Sequence, residues 1–258
     1  MTTPLTSPDR MTRLMQPLGA TSPSGAWMRL LWLALPLGVL CAALAARLAP
    51  SGAAVSVGLF VAVTALAAAL MRRRYAHPRL GLCNTVTLTR AALACALVAP
   101  LAGGGFATTH SAIDARWLSV IIATIALAMD GLDGWLARRS GLSSAFGARF
   151  DMEVDAALGL ILSLLVVASG TLGIWVLALG TMRYAYVLAG LFLPWLNAPL
   201  PERFRRKALC VVQIGALIML LIPGLGALGA TLIATSATLA LAGSFGADIL
   251  WLARRRRT

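Results

Sequence analysis

Acidic residues are what this chain most nearly lacks. Of 258 residues only nine are Asp or Glu, against 22 Lys and Arg, and a single lysine, Lys207, stands among the arginines. Histidine is confined to His77 and His110, which are isolated, so neither reads as a metal ligand or as the base of a nucleophile–base pair. Cys41, Cys83, Cys95 and Cys210 show no CxxC spacing and lie in or beside apolar runs, which excludes a disulfide framework and leaves small core hydrophobes in a reducing compartment. Charged residues make up only 12% of the chain while 59% is hydrophobic, and the mean hydropathy is +0.85. A soluble domain is excluded; the fold class is an all-α polytopic bundle.

Apolar runs long enough to span a bilayer, for which about 20 residues are needed, occur at about 27–47, 52–71, 86–103, 116–137, 147–169, 173–193, 207–223 and 228–253. Eight spans put both termini on one side. With that side cytoplasmic, 19 of the 22 basic residues fall on it; Arg47 and Arg116 lie opposite and Arg183 lies inside a span. This bias explains the net charge of +13 without any nucleic-acid partner. Residues 1–29 are polar, with Pro4, Pro8, Pro17 and Pro23, and read as a disordered cytoplasmic tail. Abundant alanine and the preference for arginine over lysine point to a GC-rich bacterial genome, hence an inner-membrane protein.

The scarce acids are not scattered. Asp130, Asp133, Asp151 and Asp155 are four of the seven aspartates and fall within one stretch of 26 residues. Each costs roughly 2.5–3.5 kcal/mol at the centre of a membrane helix, so together they require on the order of 10 kcal/mol of compensation. At about 100° per residue, Asp130, Asp133, Gly134, Ala137 and Arg138 share one side of a helix, and Gly147, Asp151 and Asp155 share one side of the next, with Glu153 off it. The short polar turn between them makes the helices antiparallel, so two carboxylate pairs face each other at the cytoplasmic end. Hard oxygen ligands in this number favour Mg²⁺ or Mn²⁺ over zinc.

Asp130-x2-Asp133-Gly134-x2-Ala137-Arg138-x8-Gly147-x3-Asp151-x3-Asp155 resembles, at every fixed position, the signature of the CDP-alcohol phosphotransferases, integral membrane enzymes of phospholipid synthesis. The resemblance implies transfer of a phosphatidyl group from CDP-diacylglycerol to a polar alcohol, with release of CMP. It implies a six-span core, here 79–258, preceded by an extra two-span hairpin at 30–74, whose small residues (Gly38, Ala42, Ala43, Ala45 and Ala46 in one span, Gly58, Ala62, Ala65 and Ala68 in the other) suit close helix packing. It also implies metal bound by Asp130, Asp133, Asp151 and Asp155, with Asp155 the general base, a nucleotide and diphosphate site including Gly134, Ala137, Arg138 and Gly147, and homodimers as in relatives.

Three further features carry alternatives. Asn84-x2-Thr87-x2-Arg90 is similar to a segment that lines the family's nucleotide site; otherwise Asn84 caps a helix and Arg90 snorkels. Arg183, mid-span, is expected to face a polar cavity and bind acceptor or diphosphate. Arg203, Arg205, Arg206 and Lys207 either bind a phosphorylated acceptor such as glycerol 3-phosphate or only obey the topology rule. No Ser, Cys or His stands against the acids as a nucleophile, which favours single displacement. A cation transporter or a non-catalytic subunit is the alternative reading; the first expects acids at mid-membrane depth in several helices, the second a loss of aspartates.

Overall fold

A computed structural model describes residues 25–75, 80–106, 112–140, 144–198 and 204–255, with the backbone alone described at 74, 132–140, 197, 204–207 and 255. Among the described residues all regular structure is helical. Helices are the natural form of these Ala- and Leu-rich runs, because lipid offers no partner for backbone N–H and C=O groups and a helix satisfies its own. Eight long helices follow the eight apolar runs to within a few residues: α1 Gly25–Leu48, α2 Ala53–Arg74, α3 Leu82–Ala96, α4 Ala112–Ser140, α5 Ala145–Ala168, α6 Leu177–Phe192, α7 Phe204–Leu221 and α8 Ala227–Arg255.

Among the described residues six stretches are long and apolar enough to cross a membrane: Gly25–Leu48, Pro50–Arg73, Leu82–Ala102, Ala112–Gly131, Ile174–Phe192 and Ala227–Arg254. The other two long helices differ for visible reasons. Helix α5 carries Arg149, Asp151, Glu153 and Asp155 in its first half, and only Ala208–Leu221 of α7 is apolar.

Helices α3 and α5 form the centre. The α1–α2 hairpin packs on α3; α3 also contacts α4 and α5, while α5 contacts α6 and α7, and α8 closes the bundle against α7 and α6. Two hydrophobic cores result. The larger is built on Leu97, Leu158, Leu162, Leu165, Leu217 and Leu221 from the later helices. The smaller joins the hairpin to α3 and the start of α5, through Leu30, Phe60, Met71, Leu88, Cys95 and Phe146.

The expected seam of small residues in the hairpin is only partly realised. Ala45 and Ala68 are buried and a Cβ on Gly38 would lie 3.8 Å from the Phe60 ring, whereas Gly58, Ala62 and Ala65 are exposed. The inward face of α2 is instead Ser56, Phe60, Thr64, Ala67 and Met71, spaced by three or four residues as helix packing requires. Close approach occurs at the turn: a Cβ on Gly52 would lie 2.0 Å from the Ala99 carbonyl oxygen, so only glycine lets the hairpin seat against the end of α3.

At the end of the bundle remote from the signature acids, Arg116 ties three segments. Its Nε donates to the Leu221 carbonyl at 3.2 Å and its Nη2 to the Thr171 hydroxyl at 3.0 Å. A cation here meets an orphan carbonyl at the C-terminus of α7. Helix α5 stops nearby at Gly170, whose φ of 70° is the left-handed conformation that glycine adopts without penalty.

The turn yields a paired prediction. Gly52→Ala is expected to lower stability by about 1–3 kcal/mol through overpacking against Ala99, while Gly58→Ala, which meets nothing within 4 Å, is expected to be neutral. Thermal unfolding of the two variants in detergent checks the difference; equal midpoints would contradict the packing.

Candidate active site and metal centre

The site is built where α3, α4 and α5 meet. Helix α3 presents Asn84, Thr87 and Arg90, all buried, along one side at a spacing of three residues. Helix α4 brings Asp130, and α5, capped by the Ser144 hydroxyl accepting from the Gly147 N–H at 3.0 Å, brings Asp151 and Asp155 one turn apart.

Arg90 lies at the centre of this arrangement. It does not snorkel. Its guanidinium has 0% exposure, and Nη1 donates to Asp151 Oδ1 at 2.6 Å and to Asp130 Oδ1 at 3.4 Å, while Nη2 donates to Asp155 Oδ1. The side chains of Asp130, Asp151 and Asp155 are 10%, 32% and 16% exposed, so this is a semi-enclosed ion cluster rather than a surface one. One ligand oxygen from each aspartate lies within 4.8 Å of the others. Three hard anionic oxygens this close together could hold a divalent metal ion as well as the guanidinium they meet.

Asp133, Gly134, Ala137 and Arg138 occupy the last turns of α4, beyond Asp130, and their side chains lie outside the described residues. The same holds for Arg205, Arg206 and Lys207 in the first turn of α7, while Arg203 precedes the described part of that helix.

Asn84 is no helix cap, since the cap of α3 is Gly81. Its amide nitrogen donates to the Tyr75 hydroxyl at 3.2 Å, which also accepts from the Gly81 N–H at 3.2 Å. Burial pushes the Tyr75 phenol above its ordinary range, keeping it a neutral partner. Among the described residues the Asn84 Oδ1 is buried without a hydrogen-bond partner, and it would lie 2.8 Å from a Cβ on Gly147. Gly147 therefore makes room for Asn84, across the α3–α5 contact. The Thr87 hydroxyl donates to the Cys83 carbonyl of its own helix at 2.9 Å.

A cavity of about 470 Å³ opens against the cluster and is lined by Asp130, Asp151, Asp155 and Arg183. Arg183 thus lines a cavity in which acidic, amide and hydroxyl side chains stand among apolar walls. Its Nη2 donates to Glu153 Oε1 at 2.7 Å, so Glu153 stands apart from the ion cluster, on another side of α5. Sequence reasoning passed over Asp248 and Ser244, which line the same cavity from α8 with 5% and 6% exposure, and Gln213 of α7, whose amide donates to the Leu179 carbonyl at 2.5 Å. The signal for Asp248 was present: an aspartate in an apolar helix is a functional candidate by default.

Charge balance makes Arg90 the most sensitive position. Arg90→Met, which leaves three carboxylates facing one another in a semi-enclosed site, is expected to cost ~3–5 kcal/mol. Glu153→Gln, at a side chain that is 61% exposed, is expected to cost under ~1 kcal/mol. Denaturation midpoints of the two purified variants in the presence of chelator decide this.

The family model described as CDP-alcohol phosphatidyltransferase matches residues 80–243. The matched region begins just before Asn84, takes in Arg90 and all four signature aspartates, and ends within α8, short of Asp248 and without the α1–α2 hairpin. No curated protein and no solved structure matches the chain. A match over more than half the chain that contains every residue of the ion cluster, on a bundle with six helices long and apolar enough to cross a membrane, leads to one conclusion: the chain belongs to the CDP-alcohol phosphatidyltransferase family and is an integral membrane transferase of phosphate-containing groups.

Proposed function

We propose that this protein transfers the phosphatidyl group of CDP-diacylglycerol to a polar alcohol and releases CMP, acting at the cytoplasmic face of a bacterial inner membrane. The observation that carries the reading is the convergence of Asp130, Asp151 and Asp155 within 4.8 Å at the wall of a polar cavity, in a chain otherwise poor in acid.

Asp130, Asp133, Asp151 and Asp155 are the residues to hold Mg²⁺ or Mn²⁺, which supplies neutralisation of the donor diphosphate and of the departing CMP. Arg138 pairs with a phosphate as a planar fork, and Gly134 and Ala137 keep bulk off the face of α4 that the nucleotide approaches. Asn84 and Thr87 line the nucleotide end, Asn84 held by the Tyr75 hydroxyl and by the room left at Gly147, and Thr87 by the Cys83 carbonyl.

In the chemical step the acceptor oxygen bonds to the phosphatidyl phosphorus as the bond from that phosphorus to the CMP oxygen breaks. The electron pair leaves with CMP and the acceptor proton passes to an Asp155 oxygen, the general base. Arg90, bonded to that carboxylate, fixes its orientation. Arg183, with Arg205, Arg206 and Lys207, forms the acceptor side, where a phosphorylated alcohol such as glycerol 3-phosphate would find its counter-charge. The protein acts as a homodimer by the habit of its relatives, residues 30–74 forming a unit that flanks the 79–258 core.

Purified protein supplied with labelled CDP-diacylglycerol, Mg²⁺ and one candidate alcohol at a time is expected to release CMP and form one new lipid. Chelation should stop the reaction and added Mg²⁺ restore it. Asp130→Asn and Asp151→Asn are each expected to lower CMP release by at least about a hundredfold while inserting normally; turnover close to that of the parent would exclude the metal assignment. Asp155→Asn is expected to slow single turnover by about 10²–10⁴-fold with donor affinity largely kept. Lost donor affinity with an intact single-turnover rate would reassign Asp155 to metal or substrate binding.

A further inference from the structure

The cavity at the signature acids has a second polar wall that the chemistry above leaves unused. Helix α8 packs on α7 and α6 and turns Leu241, Ser244, Phe245 and Asp248 toward the cavity, a spacing that places all four on one helix face. Asp130, Asp151 and Asp155 line the same space from α4 and α5, and Arg183 lines it from α6. Ser244 and Asp248 are both buried, and an acid so placed in an apolar helix carries a cost that a structural role alone does not require. Both lie beyond residue 243, where the family match ends.

We infer that Ser244 and Asp248 read a hydroxyl group of the acceptor other than the one that attacks, and so select a polyol phosphate. The inference rests on the phosphatidyl-transfer reading above and names the acceptor's class. Other polar groups of the cavity are tied into the bundle. Gln213 gives its amide nitrogen to the Leu179 carbonyl at 2.5 Å, and Tyr186 gives its hydroxyl to the Leu196 carbonyl at 3.1 Å. An ionised carboxylate accepts about four hydrogen bonds, and a serine hydroxyl both donates and accepts. The α8 pair therefore keeps capacity for an alcohol O–H even with partners inside the protein.

Charge sets the orientation. Arg183 brings a guanidinium to the cavity, and its Nε is buried with no hydrogen-bond partner among the described residues. An anionic group on the acceptor is drawn to Arg183 and repelled by Asp248, which turns the hydroxyl end toward α8. An ammonium acceptor fits less well. Arg183 repels it, and the Tyr186 and Phe245 rings pack on each other with centroids 5.5 Å apart instead of parting around a cation.

The test uses purified full-length protein in nanodiscs and follows CMP release from CDP-diacylglycerol with Mg²⁺ and, in turn, glycerol 3-phosphate, myo-inositol 1-phosphate, serine and choline. A polyol phosphate is expected to give the highest kcat/KM; a preference for serine or choline would overturn the inference. The better polyol phosphate is then compared with its counterpart lacking one hydroxyl beside the attacking one, which for glycerol 3-phosphate is 3-hydroxypropyl phosphate. The parent is expected to favour the full polyol roughly ten- to hundredfold, as one hydrogen bond to a charged group allows. Asp248→Ala should bring that ratio near one, while Asp248→Asn, which keeps an acceptor oxygen, and Ser244→Ala should each retain part of it. General damage to α8 slows both acceptors alike and leaves the ratio standing, so an unchanged ratio in Asp248→Ala would overturn the inference. Ser244→Ala carries the same comparison if Asp248→Ala does not fold.

Occupancy is read apart from turnover. Cys210 lines the same cavity, and its alkylation by N-ethylmaleimide is followed on the Cys210 peptide by mass spectrometry. In the parent, glycerol 3-phosphate or myo-inositol 1-phosphate is expected to slow alkylation at lower concentration than 3-hydroxypropyl phosphate does, and in Asp248→Ala the difference should vanish. No CMP from any alcohol would sink the transferase reading, while this comparison still decides the subsite; equal protection by all three phosphates in the parent would overturn it.

Discussion

The structure turns on one buried cation. Arg90 sits with no exposure in a bundle of apolar helices and is tolerated because three carboxylates from two other helices meet it. The dependence is mutual. Without Arg90 or an equivalent cation, Asp130, Asp151 and Asp155 would repel one another where solvent screening is weak, and without the aspartates Arg90 would carry an uncompensated charge. Much of the geometry at this end of the protein follows from that mutual need. Helices α3, α4 and α5 converge on a point far too polar for lipid, and the glycine at 147 lets α3 and α5 approach closely enough to bring Asn84 against α5.

Rigidity at such a centre comes from its surroundings. Tyr75, at the end of α2, accepts hydrogen bonds from Asn84 and from the first residue before α3, and its ring meets Phe146 edge to face at 6.0 Å between centroids. Phe146 in turn stacks on Phe150, one turn along the helix that carries the aspartates. The hairpin, absent from the matched family region, is thereby in contact with the register of the active helices. An aromatic chain of this kind fixes orientation at modest energetic cost, since each contact adds only about 0.5–1.5 kcal/mol beyond area burial.

What was legible in the sequence was whatever repeats along one element. Apolar runs gave the helices, and a three-to-four residue spacing put Asp130 on one helix face and Asp151 with Asp155 on another. Contacts between elements were harder to read. Arg90 is 40, 61 and 65 residues from its three partners, and nothing in its own neighbourhood distinguishes a buried guanidinium from one reaching for the interface. The hairpin seam failed for the same reason: small residues lay on two sides of α2, and only the bulk of Phe60 and Met71 decides which side packs. Asp248 lies outside the signature, and only the general rule that an acid in an apolar helix requires an explanation marks it.

Helix α5 shows two different surfaces at one level of the bundle. A helix repeats its faces every 3.6 residues, so one helix can show carboxylates to a polar cavity and aliphatic side chains to a groove without any change of backbone. Here the two faces alternate through the same turns, Phe150 and Val154 against Asp151 and Asp155. The boundary between them carries the Arg183–Glu153 pair, a cation and an anion at 2.7 Å that leaves little net charge where polar and apolar spaces join. Charge on α5 is thus divided rather than pooled, with Asp151 and Asp155 turned to Arg90 on one side and Arg149 and Glu153 on the other, so that like-charged carboxylates on neighbouring turns are answered by different cations.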